Sequence, residues 1–181
     1  NSEFFKELPY DNLINLKFDN NGKKKFFSII MKSDYFIGSD SGAEIFTYLN
    51  PNIKVLIANS VNIVGSWRQI KGQLILPKNI FKDKNCINND FNELEKYILR
   101  GENKGYTLKD NSSIQLLDAF NELRLADHDI NNFKKKLNFK KILDKYMKLE
   151  STKKRHFNKN ISYSDNPGDG DIAESFFNES I

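Results

Sequence analysis

Residues 34–60 read DYFIGSDSGAEIFTYLNPNIKVLIANS. Asp34 to Gly38 is a short apolar run between polar residues, the pattern of a buried strand in a parallel sheet. Ser39-Asp40-Ser41-Gly42 then supplies loop and cap chemistry, and residues 43–50 follow at helical spacing until Pro51 stops them. Ile53 to Ser60 is a second apolar run, rich in β-branched residues, and predicts a second buried strand. Strand, short helix and strand within about 30 residues make a βαβ unit, whose crossover is right-handed. The expected fold class is therefore α/β with a parallel sheet.

Outward from this unit the chain keeps alternating. Residues 1–22 read as an approach segment, half apolar and punctuated by Pro9, with residues 19–22 as a turn. Residues 23–32 (KKKFFSIIMK) fit an amphipathic helix packed on the sheet. Downstream, Gly65 and Gly72 break the pattern before Leu74 to Lys78, a strand-like run closed by Pro77. Residues 91–100 predict a helix with Phe91, Leu94, Tyr97 and Ile98 on one face. Tyr106 to Leu108 reads as a short edge strand, and Asn111-Ser112-Ser113 as the cap of a helix in which Ile114, Leu117, Phe120 and Leu123 recur at helical spacing. A basic stretch follows, with Phe133, Leu137, Ile142, Tyr146 and Leu149 as its apolar side. Residues 158–171 read as loop or linker, and an apolar cluster, IAESFFNESI, closes the chain. The expected organisation is an approach segment (1–22), a Rossmann-like α/β unit (23–130), a basic amphipathic helical segment (131–159) and a loop with a C-terminal apolar box (160–181).

Composition removes several classes. The 181 residues include 28 Lys+Arg, 24 Asp+Glu, two His and a single Cys, for a net charge of +4. One domain of this size closes a hydrophobic core without staples. Cys86 has no partner for an internal disulfide, and no Cys pair stands at zinc-ligand spacing, so a secreted disulfide scaffold and a zinc finger are excluded. No run approaches the roughly 18 apolar residues of a membrane span, and the N-terminus lacks the layout of a signal peptide. The expected setting is cytoplasmic. The charge is uneven: residues 132–159 carry eleven basic and two acidic residues, a net +9, which leaves −5 for the rest. A nucleic-acid-binding domain would spread positive charge over a recognition surface, so a nucleic-acid partner is not expected.

The stretch 34–42 carries the chemistry. A strand that ends in small polar residues and Gly before a helix builds an anion site: the backbone N–H groups of Ser41, Gly42 and Ala43 point out of the helix start, and Gly42 admits a phosphate to the backbone. The Ser39 and Ser41 hydroxyls offer further donors. Ligands of open α/β sheets bind at the carboxyl ends of the strands, where this loop lies. The same Ser and Asp residues also serve as a plain helix cap, so a cap and a phosphate cradle stand as the two uses of this loop.

DYFIGSDSG, followed by a short helix, a proline and a strand ending in Asn (LNPNIKVLIANSVN), resembles the C-terminal half of a family of bacterial glycosyltransferases from surface-polysaccharide loci. GQLILPKNIF is similar to that family's apolar-Pro-Lys segment. GYTLKDNSSIQLLDAFNEL resembles its Asn-Ser/Thr-polar-helix element, and IAESFFNES its terminal Ile-x-x-Ser-Phe-x-x-Asn box. The resemblance runs in order from about Phe26 to the C-terminus. It implies a Rossmann-like three-layer half-domain with a parallel sheet, the second half of a GT-B fold, that holds a nucleotide-sugar donor without a bound metal or other cofactor. Carried over, the donor diphosphate meets Ser39, Asp40, Ser41 and Gly42. Asn59 and Ser60 line the same cleft, Lys78 brings an ammonium to the phosphates or the base, and Glu44 faces a ribose hydroxyl. The acceptor is a glycan or a lipid-linked species. The catalytic base of such enzymes comes from the N-terminal half, and about 180 residues cannot hold two Rossmann-like halves. The chain opens on Asn1 rather than Met, in keeping with a piece of something longer, and by itself is not expected to turn over. The alternative is a non-catalytic nucleotide- or phosphate-binding or interaction module.

Other residues have structural and functional uses. The family's His shortly after Asp-Ser-Gly has no counterpart here; His128 reads as a surface or helix-end residue, and His156 sits among positive charges that disfavour its protonated form. Trp67 suits packing or stacking on a base, and Arg68 a phosphate. The basic stretch is a packed helix with a solvated face or a peripheral contact with an anionic membrane surface, with RNA binding as the runner-up, against which stands its lack of clustered Arg and of an aromatic platform.

Overall fold

The central strands follow from composition: a residue buried on both faces of a parallel sheet must be apolar wherever it points. Residues 20–40, 44–61, 73–100, 105–125, 130–157 and 171–178 are described by a computed structural model. In chain order they form α1 (Asn20–Ile30), β1 (Tyr35–Gly38), a 3₁₀ helix (Glu44–Leu49), β2 (Lys54–Ser60), β3 (Gln73–Pro77), β4 (Asn79–Lys82), β5 (Asn85–Cys86), α2 (Phe91–Arg100), β6 (Tyr106–Lys109), α3 (Ser113–Leu125), α4 (Ile130–Phe157), β7 (Asp171–Ile172) and a second 3₁₀ helix (Glu174–Phe177). Strands β1, β2, β3 and β7 pair in that order, all parallel. Strands β5, β4 and β6 make a small antiparallel sheet. Asp83 and Lys84, both at positive φ, form the two-residue hairpin between β4 and β5.

The α/β class with a parallel sheet is thus observed, and β2 and β3 are buried along almost their whole length, with Leu56, Ile57, Ile75 and Leu76 closed off from solvent. β1 departs from the buried strand expected of it. Among the described strands it lies at the sheet edge, its residues alternate, and Tyr35 and Ile37 are 37% and 53% exposed. A short apolar run does not reveal whether a neighbour flanks it on one side or two. The 3₁₀ helix that crosses from β1 to β2 packs against α1, where Phe26 and Phe27 meet Phe46 edge-on at 6.3 and 5.9 Å. α1 starts at Asn20, so residues 20–22, expected in a turn, are its first turn.

Asp90 caps α2 by accepting the N–H groups of Asn92 and Glu93 on Oδ1. Leu94 and Ile98 of α2 are buried as expected, and β6 is the predicted edge strand. In α3 the buried positions are Gln115 and Ala119, with Leu116, Phe120 and Leu123 packed beside them; Ile114 and Leu117, expected inward, are exposed. The small Ala119 lets the helix approach β2 and β3, and Gln115 joins a buried polar network, which together rotate the helix away from its most apolar stripe.

α4 packs against α2 and the second 3₁₀ helix. Its inner face is Lys136, Phe139, Ile142, Leu143 and Tyr146, so Leu137 and Leu149 of the expected apolar side face solvent. Phe139 stacks edge-on with Phe176 and Phe177, with all three rings fully buried. The basic helix and the C-terminal box therefore share one core with β2 and β3. Among the described residues no helix is long and apolar enough to cross a membrane.

Candidate functional site

Parallel pairing in register, Gly38 beside Ile57 and Ser60 beside Pro77, brings the carboxyl ends of β1, β2 and β3 to one edge. Ser39 and Asp40 follow β1, Asn59 and Ser60 end β2, and Lys78 follows β3. The structure draws three of these sequence-predicted residues, Asp40, Ser60 and Lys78, into one bonded group. The Ser60 hydroxyl donates to Asp40 Oδ2 at 3.0 Å, and the Ser60 carbonyl accepts the Lys78 N–H at 3.0 Å. Ser60 is buried and Asp40 half-buried, while Ser39 faces solvent.

Asn59 is set by a bulge. Ala58 pairs with Leu76 and Ser60 with Pro77, so Asn59 is the extra residue, and it takes φ 52°, a left-handed value that Asn tolerates better than most side chains. The bulge turns Asn59 toward the start of α3. There its N–H donates to Asn111 Oδ1 at 3.0 Å and its own Oδ1 accepts the Asn111 N–H at 2.6 Å. Asn111 Nδ2 donates to the Pro77 carbonyl at 2.7 Å, so one buried amide ties together the ends of β2, β3 and α3.

Behind Asn111 a reciprocal capping box opens α3. The Ser112 Oγ accepts the Gln115 N–H at 3.2 Å, and Gln115 Oε1 accepts the Ser112 N–H at 3.0 Å. Gln115 also exchanges hydrogen bonds with Asn79, which bonds Asn88, which donates to the Phe176 carbonyl. The terminal box thus braces the floor of the edge. Lys78 pairs with Asp110, Nζ to Oδ1 2.7 Å, the lysine half-buried and the carboxylate exposed.

Of the expected residues, Ser41 and Gly42 lie outside the described residues, and so do the side chain of Glu44, Trp67, Arg68 and His128. The element after β1 is a six-residue 3₁₀ helix rather than an α-helix, so its dipole offers an anion less than a full helix would. Asn111 and Asp110 join the edge although only the cap around Ser112 was expected. The S-x-x-Q spacing of Ser112 and Gln115 was the available signal.

Two further polar clusters stand away from this edge. Glu93 of α2 accepts from Lys82 at 2.6 Å, from Lys96 and from the Tyr106 hydroxyl at 2.9 Å, and these bonds, Lys82's first, hold its carboxyl at about 2. Lys136 points into the core, where its ammonium meets Glu122, Asp171 and Glu174. Burial pulls the Lys136 pKa down, but the carboxylates outweigh it and leave it above its usual value. For Glu122 burial is the largest influence and pushes the carboxyl up.

In chemical terms the carboxyl edge offers hydroxyl-accepting carboxylates, one ammonium and a set of rigid amides. No family model, curated protein or solved structure matches the chain.

Proposed function

We propose that the carboxyl edge of the parallel sheet binds the nucleoside diphosphate of a sugar donor. In this reading the chain is the Rossmann-like, donor-binding half of a GT-B-type glycosyltransferase acting on a glycan or lipid-linked acceptor. The observation that carries it is the convergence of Asp40, Asn59, Ser60 and Lys78 from three successive strands on the edge where open α/β sheets take ligands. The resemblance of residues 34–60 to the family's strand-loop-helix-strand element points to the same place.

The roles follow from charge. Ser39, Ser41 and Gly42 supply hydroxyl and backbone donors to the diphosphate. Asp40 repels phosphate, and its carboxylate is already oriented by Ser60, so it suits a ribose or sugar hydroxyl, as does Glu44. Lys78 is the cation. Its pair with the exposed Asp110 contributes about 1 kcal/mol, so exchange of Asp110 for a phosphate oxygen costs little. The chain's share of catalysis is then electrostatic stabilisation of the leaving diphosphate, with the base supplied by another half.

Titration calorimetry of the whole chain with UDP, GDP and CMP tests the reading. Saturable binding of one nucleotide, abolished in Gly42→Asp and about tenfold weaker in Lys78→Ala, supports it. Absence of binding by all three overturns it. Inorganic pyrophosphate that binds as tightly as the nucleotides marks a phosphate-binding module instead.

A further inference from the structure

The outer face of α4 carries a feature that the donor site does not use. Lys134, Leu137, Lys141 and Lys148 stand at intervals of three, four and seven residues, which places them in one row about 21 Å long on a helix rising 1.5 Å per residue, with the half-buried Asp144 between the last two. All four are exposed, Leu137 at 43%, and Leu149 beside the row is 46% exposed. Neither Lys134 nor Lys141 has a carboxylate partner among the described residues, whereas Lys145, on the flank nearer α2, pairs with Glu95 at 2.7 Å. The opposite face is fixed in the core through Phe139, Ile142 and Leu143. The row is therefore presented by a helix that needs no rearrangement to be used.

We infer that this face of α4 docks the protein on an anionic lipid surface. Charge complementarity selects a polyanion: residues 132–159 are net +9 on a chain that is otherwise net −5, and although Lys136 is turned into the core and Lys145 is paired with Glu95, Lys134 and Lys141 face outward. The exposed leucines select lipid among polyanions. Single exposed leucines are ordinary, but Leu137 stands inside the lysine row, and a phosphate backbone gives it nothing to bury against. A bilayer interface takes both groups at once, because the leucines enter the headgroup boundary while the lysine stems lie along it with their ammonium groups among the lipid phosphates. The described row also lacks arginine, whose planar fork serves nucleic-acid phosphates and bases better than lysine. This inference stands independently of the nucleotide reading.

The test is co-sedimentation of the full chain with phosphatidylcholine vesicles and with phosphatidylcholine vesicles containing phosphatidylserine. The expected result is recovery with the anionic vesicles alone, weakened by salt. Each lysine contributes roughly fivefold, so Lys134→Gln/Lys141→Gln/Lys148→Gln lowers partitioning by about 100-fold. Leu137→Ser lowers it about fivefold through lost burial. The charge-matched control is Lys23→Gln/Lys24→Gln/Lys25→Gln, on the exposed side of α1, which leaves binding in place. All replaced side chains are exposed, and circular dichroism checks that each variant is folded. Equal recovery with neutral and anionic vesicles overturns the inference, as does an equal loss in the α1 control. Vesicle binding that is indifferent to Leu137→Ser and is displaced by a single-stranded oligonucleotide also overturns it and assigns the face to nucleic acid.

Discussion

Asn59 and Asn111 each accept the other's backbone N–H on a side-chain oxygen, at 3.0 and 2.6 Å, across 52 residues of sequence. The pair joins a bulged strand end to the start of a helix, and both elements border the candidate site. Regular sheet pairing cannot supply this link, because the bulge at Asn59 takes its backbone out of register with β3. The place of Asn59 on the carboxyl edge therefore depends on two amides rather than on the ladder.

Replacing Asn111 by Ala removes the acceptor of the Asn59 N–H and the donor to the Pro77 carbonyl in one step, at a buried position. Each group left unsatisfied costs about 1–3 kcal/mol, so Asn111→Ala should lower unfolding stability by about 2–6 kcal/mol in urea titration. At Asn59 the left-handed backbone separates two variants. Asn59→Gly keeps φ 52° without strain and loses only the side-chain bond, whereas Asn59→Val adds about 1–2 kcal/mol of backbone cost. Equal stability of these two variants would show that the bulge relaxes when Asn59 is replaced.

Lys136 faces Glu122, Asp171 and Glu174, and its side chain is 9% exposed. Lys136→Met leaves those carboxylates without it and should cost about 3–5 kcal/mol. The sign of the pH response follows. In the parent the Lys136 pKa is raised, so its contribution is fully present below 10.5 and is lost as pH rises through the folded value. In Lys136→Met the same site favours protonation of Glu122, already pushed up by burial, so stability should recover on acidification from neutral pH. Chemical denaturation of parent and variant at neutral and mildly acidic pH measures the crossover.

What the sequence discloses depends on whether a residue's environment leaves a periodic trace. β2 was legible because Val55 to Ala58 must be apolar on both faces. The position of β1 was not, since an edge and a centre are distinguished by neighbours distant in the chain. At the candidate site, the meeting of Asp40, Asn59, Ser60 and Lys78 on one edge was legible because parallel strands bring their ends together. Asn111 was not, because its partner is a bulge that no local pattern encodes. Lys136 hides in a run of three lysines, yet Lys136, Phe139 and Leu143 lie at intervals of three and four, so the buried stripe was present and masked by charge.

The Glu93 cluster predicts a different pH window. Glu93 is lowered from 4.5 to about 2, chiefly by its bond to Lys82 and then by Lys96 and Tyr106. A depressed carboxyl contributes stability above its unfolded value and loses it as pH falls through the folded one, so this contribution disappears between pH 4.5 and about 2. Glu93→Gln should be less stable than the parent at neutral pH and should converge with it toward pH 2. The difference between the two thermal midpoints, followed down that range, isolates Glu93 from other carboxyls. A difference that stays constant would remove the ionic account of this cluster.

Hydropathy and structure make opposite forecasts for two neighbours in α3. By hydropathy, Leu117 belongs inside and Gln115 outside. In the structure Leu117 is 59% exposed, while Gln115 is buried and fully engaged. Its Oε1 accepts from Ser112 and Asn79, and its Nε2 donates to Asn79 and to the Ser175 carbonyl. Gln115→Leu fills the space but strands these partners in a buried network, where a partly satisfied set of polar groups is worse than none. The expected cost is about 2–4 kcal/mol. Leu117→Gln exchanges one exposed side chain for another and should change stability by less than about 0.5 kcal/mol. Urea midpoints of the two single variants decide between the forecasts, because a larger loss for Leu117→Gln would mean that α3 turns its apolar stripe inward.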